Sequence, residues 1–125
     1  MRLLLDSHAA FWWLTAPEKL TPNARQAISN IENEVYVSAA SLWELRLKAN
    51  KGKIKFPGGI EQALSSESIG ELSVRWTHTL RLEQLPAIHA DPFDRLLIAQ
   101  AIEESLTLVT RDAQIRHYPV SILIA

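Results

Sequence analysis

The sequence predicts an α/β fold, in which helices cover both faces of a parallel sheet. Short apolar runs of strand length alternate with segments of helix-forming residues along the chain, the pattern that βαβ units produce. The first strand is predicted at residues 2–5, and residues 8–14 carry too few turn formers for a loop and predict a helix directly after it. Asp6 therefore lies at the carboxyl end of a strand, the edge at which ligands and catalytic groups collect in open α/β sheets.

The other elements follow from the same periodicities. Strands rich in β-favouring residues are predicted at 34–38, 71–74, 106–109 and 120–124. Helices are predicted at 23–32, 39–50, 60–66, 75–83 and 93–105, with a helical turn at 112–116. Pro22 after Thr21 marks the start of one helix, and Gly52 marks the end of another.

Composition narrows the class of protein. A chain of 125 residues has the size of one domain, and its formal net charge of -1 argues against nucleic-acid binding by bulk charge while leaving room for a local basic patch. The absence of cysteine excludes disulfides and thiolate metal sites. No apolar run approaches the roughly 18 residues of a membrane span, and Asp6 interrupts the run that could imitate a signal peptide. We therefore expect a single domain over residues 1–125, in the cytoplasm and without membrane association.

Four acidic residues lie just past predicted strands or near helix starts: Asp6, Glu44, Asp94 and Asp112. Each also has a structural explanation. Asp6 and Asp112 can cap the helical segments that follow them. Glu44 completes a capping-box pattern with Ser41, and the dipole of the long apolar helix favours a negative charge at Asp94.

The four carboxylates are expected to converge if the strands before Asp6 and Asp112 are neighbours, because the carboxyl ends of parallel strands share one edge. Without a cation the carboxylates would repel and raise one another's pKa values. A hard divalent cation such as Mg²⁺ or Mn²⁺ removes that repulsion and prefers oxygen ligands. The sequence therefore indicates a metal site suited to phosphodiester hydrolysis, in which metal activates water and stabilises charge on the phosphate.

Four blocks of the chain, taken in order, carry a family resemblance. They read LLLDSHAAFWWL, VYVSAASLWE, DPFDRLLIAQA and LVTRD. This series resembles the PIN-domain nucleases, and most closely the VapC type, the toxin of a toxin–antitoxin pair. The resemblance spans nearly the whole chain and implies a three-layer fold, a five-stranded parallel sheet in the order 3-2-1-4-5 flanked by helices. That order would set the first and fourth strands side by side.

The resemblance also implies an activity. It points to an Mg²⁺-dependent endoribonuclease that hydrolyses phosphodiester bonds of tRNA, rRNA or mRNA with metal-activated water, and Mn²⁺ is expected to substitute. Asp6, Glu44, Asp94 and Asp112 match the acidic positions of the family, with Asp6 and Asp94 as the strongest metal ligands. Asp112 is expected to hold the metal directly or through water, and Glu44 to do so through water or to orient the attacking water. The implied partners are a second copy of the chain and a small VapB-like antitoxin that blocks the site.

Other residues near these blocks have accessory or open roles. Ser7 can hydrogen-bond a neighbouring carboxylate or cap a helix, and Asp91 is a fifth acidic candidate whose capping role alone would explain it. Arg95 and Arg111 adjoin acidic candidates and can pair with a carboxylate or contact substrate phosphate. The sequence leaves open whether substrate contacts His8 or the lysines Lys48, Lys51, Lys53 and Lys55. The remaining histidines have no partner at a metal-ligand spacing and are predicted to be structural: His78, His89 and His117.

The role of the four tryptophans is predicted from weaker signals. The tryptophans could stack on RNA bases. Core packing or a subunit interface is the better prediction for most of Trp12, Trp13, Trp43 and Trp76.

Two alternatives to the predicted function remain: a PIN nuclease that acts on DNA or in RNA processing, and a PIN-shaped binding module without catalysis. The second conflicts with the presence of all four acidic residues. A two-aspartate phosphatase is excluded because His8 stands where its second carboxylate is needed.

Overall fold

Five parallel strands form one sheet at the centre of the protein, in the order β3-β2-β1-β4-β5. The computed structural model describes residues 1–54 and 59–125. The strands are β1 Arg2–Leu5, β2 Glu34–Ser38, β3 Gly70–Leu72, β4 Thr107–Thr110 and β5 Ile122–Ile124. Both the parallel direction and the strand order confirm the prediction.

Six α-helices flank the sheet within the described residues. They are α1 Ser7–Thr15, α2 Pro22–Ser29, α3 Ala39–Asn50, α4 Ile60–Ser66, α5 Trp76–Glu83 and α6 Pro92–Glu103. The described residues also form two short 3₁₀ helices, at Pro17–Lys19 and Ala113–His117. In the part of the chain that the structure describes, no helix combines the length and the apolar character needed to cross a bilayer.

The last three strands differ from their predicted bounds. β4 is shifted by one residue, from 106–109 to Thr107–Thr110, and strand pairing explains the changes in β3 and β5. β3 spans residues 70–72 rather than 71–74 because its partner β2 ends at Ser38, which pairs with Leu72. β5 begins at Ile122 rather than at residue 120 because the backbone N–H of Val120 donates to the carbonyl of Tyr118, so that Val120 belongs to a turn. Apolar composition marks a run of strand-forming residues, but the neighbouring strand decides how many of them pair.

The central position of β1 in the sheet explains why its sequence is apolar without alternation. Leu3, Leu4 and Leu5 have no exposed surface, because helices cover both faces of the strand. Leu3 and Leu5 pack in the cluster that contains residues of α1 and α2. Leu4 packs in the opposite cluster, which contains three residues of α6 and Leu108 of β4. The chain therefore forms three layers, as the resemblance implied.

The neighbouring positions of β1 and β4 bring two acidic residues to one edge of the sheet. Leu5 pairs with Val109, and the backbone N–H of Asp6 donates to the carbonyl of Val109 at 3.1 Å. Asp112 follows β4 by two residues and caps the 3₁₀ helix, where its Oδ1 accepts the N–H of Gln114 at 2.9 Å. The carboxyl edge of the sheet thus holds both carboxylates.

Candidate active site

An acidic pocket of about 410 Å³ lies at the carboxyl edge of the sheet. Its lining comprises Asp6, Ser7, His8, Trp12, Glu44, Lys48, Asp91, Asp94, Arg111 and Asp112. The chain contains only four aspartates, and every one of them lines this pocket. The structure therefore brings together all four acidic residues that the sequence singled out, together with the less certain fifth member.

Asp6 serves as the N-cap of α1 and is also a buried acid of the pocket. Its Oδ1 accepts the backbone N–H of Ala9 at 2.7 Å, and only 6% of the residue is exposed. Burial raises the pKa of Asp6, although hydrogen bonds from Ala9 and Thr110 act in the opposite direction. The capping explanation is therefore correct, and the same carboxylate also lines the pocket.

Asp94 lies in the first turn of α6 with its side chain 22% exposed. Burial is the main cause that raises its pKa to about 7, and the negative charges of Asp91, Asp6 and Glu44 add to the effect. At neutral pH this carboxylate is thus poised between binding a proton and carrying a negative charge. A cation bound among these carboxylates would stabilise the charged form.

Glu44 projects from α3 into the pocket, and its capping-box explanation is wrong. The helix begins at Ala39, and the N-cap is Ser38, whose side chain accepts the N–H of Ala40 at 3.1 Å. Ser41 therefore lies inside the helix and cannot form the predicted box with Glu44. The carboxylate lies 3.9 Å from the ammonium group of Lys48, one helical turn onward.

His89 belongs to the site, which corrects the prediction that it is merely structural. Its Nε2 lies 2.7 Å from Oδ2 of Asp112 and 3.2 Å from Oδ2 of Asp94. Burial alone would raise the pKa of Asp112, but hydrogen bonds from His89 and from the Gln114 N–H outweigh burial and lower it. The side chains of His89, Asp94 and Asp112 each offer one potential metal ligand atom. These three atoms lie within 4.8 Å of one another.

Comparison with known proteins identifies the family of this chain. The model of the PIN domain matches residues 3–120 of the chain. The chain belongs to the PIN-domain family. It is 34% identical over 119 residues to Ribonuclease VapC22 of Mycobacterium tuberculosis, an alignment that covers 93% of this chain and 91% of that protein.

Solved structures share the fold of this PIN domain at low sequence identity. One is VapBC2 from Rickettsia felis bound to a DNA fragment from its promoter, with a TM-score of 0.76, 17% identity and 98% of each chain covered. Another is DNA-bound VapBC from Salmonella typhimurium, with a TM-score of 0.72, 17% identity and coverage of 98% of this chain and 97% of that one. A third is FitAcB from Neisseria gonorrhoeae, with a TM-score of 0.66, 22% identity and coverage of 98% and 96%.

The two arginines next to acidic residues of this PIN domain bind backbone carbonyls. Arg95 donates to the carbonyls of Leu82 and Leu85 at 3.3 and 3.4 Å and turns toward α5, so we exclude it from the candidate site. Arg111 lines the pocket, yet its guanidinium donates to the carbonyls of Ala125 and Lys19 and lies 4.5 Å from the centre of the Trp12 ring. Within residues 1–54 and 59–125, neither arginine forms the carboxylate pair that the sequence suggested.

The lysines whose role the sequence left open lie either in the pocket or on an exposed turn, among those that the structure describes. Lys48 lines the pocket, and its Nζ lies 3.5 Å from Nε2 of His8. Lys51 and Lys53 are exposed on the turn after α3, and Lys55 lies outside the described residues. His78 is structural as predicted: it is fully buried, and its Nε2 lies 2.7 Å from Oε2 of Glu104.

The tryptophans also divide between pocket, core and surface. Trp12 lines the acidic pocket, and Trp13 packs against the core with a buried indole nitrogen. Trp43 and Trp76 are 59% and 92% exposed, so core packing does not account for them. Trp43 contacts Phe93, with 5.4 Å between the ring centroids.

The donor set of this PIN domain fits a hard divalent cation. The pocket offers five carboxylates from four separate elements, and burial together with the negative charges of neighbouring acids raises the pKa of Asp94. Hard cations such as Mg²⁺ take oxygen ligands and usually keep several waters, so only a few of these carboxylates need to bind directly. The site can therefore hold a divalent cation, and potential ligand atoms of Asp94 and Asp112 lie within 4.8 Å of each other.

The raised pKa of Asp94 is expected to make the metal-free protein less stable as pH rises. Its pKa is about 7 in the folded protein and about 3.9 in an unfolded chain, so the folded state binds more protons between these values. The free energy of unfolding is therefore expected to fall between about pH 4 and pH 7, with Asp94 contributing at most about 1.4 kcal/mol per pH unit. Denaturant unfolding in EDTA should show a steeper fall for the parent than for Asp94→Asn. Parallel curves for the two proteins would contradict the raised pKa.

Proposed function

We propose that this chain is a metal-dependent endoribonuclease, a single PIN domain that acts in the cytoplasm as the toxin of a VapBC-like toxin–antitoxin pair. The observation that carries the proposal is the convergence of all four aspartates and Glu44 in one pocket at the carboxyl edge of the sheet. The 34% identity to a ribonuclease of the VapC type supports RNA as the substrate.

The proposed cofactor is Mg²⁺, for which Mn²⁺ would substitute. Asp6 and Asp94 are the proposed direct ligands, and Asp112 is the proposed holder of a coordinated water. Both oxygens of Asp112 already accept hydrogen bonds, from Gln114 and His89, which supports the indirect role. When bound, such a cation lowers the pKa of a coordinated water and stabilises negative charge on the phosphate.

Other side chains of the pocket would position substrate and water. Glu44 reaches the pocket with its side chain only 15% exposed, and we assign it the orientation of the attacking water and acceptance of its proton. Lys48 carries a positive charge on the same side of the pocket as His8. We assign to Lys48 a contact with a phosphate oxygen of the RNA, a contact that positions the backbone without reading its sequence.

Cleavage of RNA by the purified protein is expected to require a divalent cation. The parent should cut at least one of tRNA, rRNA and mRNA in Mg²⁺, stop in EDTA, and regain activity when Mn²⁺ is supplied in excess. Asp94→Asn, purified in parallel, controls for contaminating nucleases. Cleavage that persists in EDTA would reject the metal mechanism, and cleavage of single-stranded DNA in preference to RNA of the same sequence would favour the alternative substrate. A protein that binds RNA but never cuts it would indicate the binding module.

We also propose two protein partners, a second copy of the chain and a small VapB-like antitoxin. The surface also carries an apolar groove of about 580 Å³. Two of its lining residues, Trp43 and Phe93, directly precede the pocket residues Glu44 and Asp94 in the sequence. It is also lined by Ala39, Ala40, Val74, Leu82, Pro92 and Leu96. Monomeric proteins rarely leave contiguous apolar surface of this kind uncovered, which supports an interface.

Light scattering at micromolar concentrations is expected to give the mass of a dimer of the chain.

Co-expression with an adjacent small gene that encodes a DNA-binding protein should recover a complex of the two proteins. RNA cleavage by that complex should be weaker than cleavage by the free protein. A strictly monomeric species at every concentration would contradict the dimer, and recovery of the nuclease alone would contradict the antitoxin.

A further inference from the structure

We propose that His89 is a positioning residue, whose Nε2–H group holds the carboxylates of Asp94 and Asp112 together and does not itself bind the metal. The proposal rests on the metal site described under the proposed function. Three groups of contacts carry it: the anchoring of the loop before α6, the hydrogen bond at Nδ1, and the two contacts at Nε2.

The loop that carries His89 is anchored to the end of the chain. The backbone N–H groups of Ile88 and His89 both donate to Oη of Tyr118, at 3.1 and 2.8 Å. That hydroxyl donates in turn to the carbonyl of Pro86 at 2.9 Å, and Tyr118 is only 4% exposed. The imidazole therefore projects from a fixed backbone, with its side chain 10% exposed.

The hydrogen bond at Nδ1 determines which ring nitrogen carries the proton. Nδ1 of His89 accepts the backbone N–H of Asp91 at 3.0 Å. A nitrogen that accepts a hydrogen bond has its lone pair engaged and carries no proton, so the proton of the neutral ring lies on Nε2. The same backbone N–H belongs to the residue that caps α6, which ties the tautomer to the helix that presents Asp94.

The protonated Nε2 lies between two carboxylates from different elements. It is 2.7 Å from Oδ2 of Asp112, which caps the 3₁₀ helix, and 3.2 Å from Oδ2 of Asp94 in α6. A charged acceptor shortens and strengthens the hydrogen bond to Asp112, and the carboxylate of Asp94 lies within ion-pair distance of the same nitrogen. The N–H group therefore offsets repulsion between the two acids and keeps both of them at the mouth of the metal site.

Direct metal binding by His89 would conflict with these contacts. Imidazole binds a metal through a lone pair, so Nε2 would have to lose its proton and Nδ1 would have to gain one. The Nδ1–H group would then face the N–H of Asp91, with a donor opposing a donor. Mg²⁺ also prefers oxygen over nitrogen ligands. The three-residue group of His89, Asp94 and Asp112 is accordingly two acids and a hydrogen-bond donor rather than three metal ligands.

The tautomer can be tested on the unmodified protein. Long-range ¹H–¹⁵N spectra of the imidazoles should show His89 protonated at Nε2 both in EDTA and in saturating Mg²⁺, with the His89→Gln spectrum used for assignment. An Nε2 that loses its proton when Mg²⁺ binds would overturn the proposal. This measurement does not depend on any variant that fails to fold.

Metal affinity tests the positioning role. His89→Ala is expected to bind Mn²⁺ roughly 10- to 100-fold more weakly by electron paramagnetic resonance, the range for loss of a group that orients metal ligands. His89→Gln retains an N–H donor and should recover most of the affinity, whereas the exposed His117→Ala should match the parent. Unchanged Mn²⁺ affinity in His89→Ala would overturn the proposal, even if the parent cleaves RNA. A parent that binds Mn²⁺ in a His89-dependent way but cuts no RNA would reject the nuclease function and leave this inference standing.

Discussion

Asp6→Asn and Asp94→Asn are each expected to lower the rate of RNA cleavage by at least about a hundredfold. A bound cation contributes several kcal/mol to stabilising the transition state, and each 1.36 kcal/mol is about tenfold in rate. Both variants keep the shape of the side chain, and asparagine caps a helix about as well as aspartate. A loss of activity would therefore come from the missing charge rather than from a missing cap.

The control for these variants is Glu32→Gln, which removes one negative charge from an exposed residue before β2. This residue lies at the opposite edge of the sheet from the acidic pocket, since it precedes a strand rather than following one. The control should cleave RNA at the parent rate. Full activity in Asp6→Asn, measured by single-turnover cleavage of the same RNA, would contradict the nuclease assignment.

Saturating Mg²⁺ is expected to raise the melting temperature of the parent by on the order of 10 °C. A ligand at a hundredfold excess over its Kd stabilises the folded state by about 2.7 kcal/mol, and each kcal/mol shifts the melting temperature of a domain of this size by about 4 °C. Asp94→Asn should gain much less from Mg²⁺, because it lacks one charged ligand.

The same variant should melt no lower than the parent in EDTA. Without metal, burial and the charges of Asp91, Asp6 and Glu44 oppose ionisation of Asp94, so that removing its charge relieves both the desolvation cost and the repulsion. Thermal melts of both proteins, in EDTA and in Mg²⁺, separate a metal ligand from a structural cap. Equal shifts on adding Mg²⁺ would remove Asp94 from the site.

Asp6 and Asp112 could be predicted from the sequence because each lies just past a strand, whereas Glu44 lies inside α3. An apolar run that stops at Asp6 marks both the end of a strand and the start of a helix, and Asp112 follows the neighbouring strand in the same way. Parallel pairing of Leu5 with Val109 then brings the two acids to one edge. Local sequence therefore carried enough information to place these two acids.

His89 and Arg95 could not be placed in the same way, because their partners are distant in sequence. His89 contacts Asp112, which lies 23 residues away, from a loop whose path is set by Tyr118. Its position two residues before Asp91 was the one local signal. Arg95 follows an acidic candidate directly, yet its guanidinium donates to carbonyls at the end of α5 and just beyond it. Adjacency in sequence does not indicate adjacency in the site.

The most direct test of the central claim is to measure Mn²⁺ binding and RNA cleavage in the same solution. Electron paramagnetic resonance reports the fraction of protein that carries Mn²⁺, and single-turnover assays report the cleavage rate at each concentration. The two curves are expected to reach half-saturation at the same free Mn²⁺ concentration, and Asp94→Asn should weaken both. Full-rate cleavage before Mn²⁺ binds, or binding that Asp94→Asn leaves unchanged, would contradict a metal held by the aspartates of this pocket.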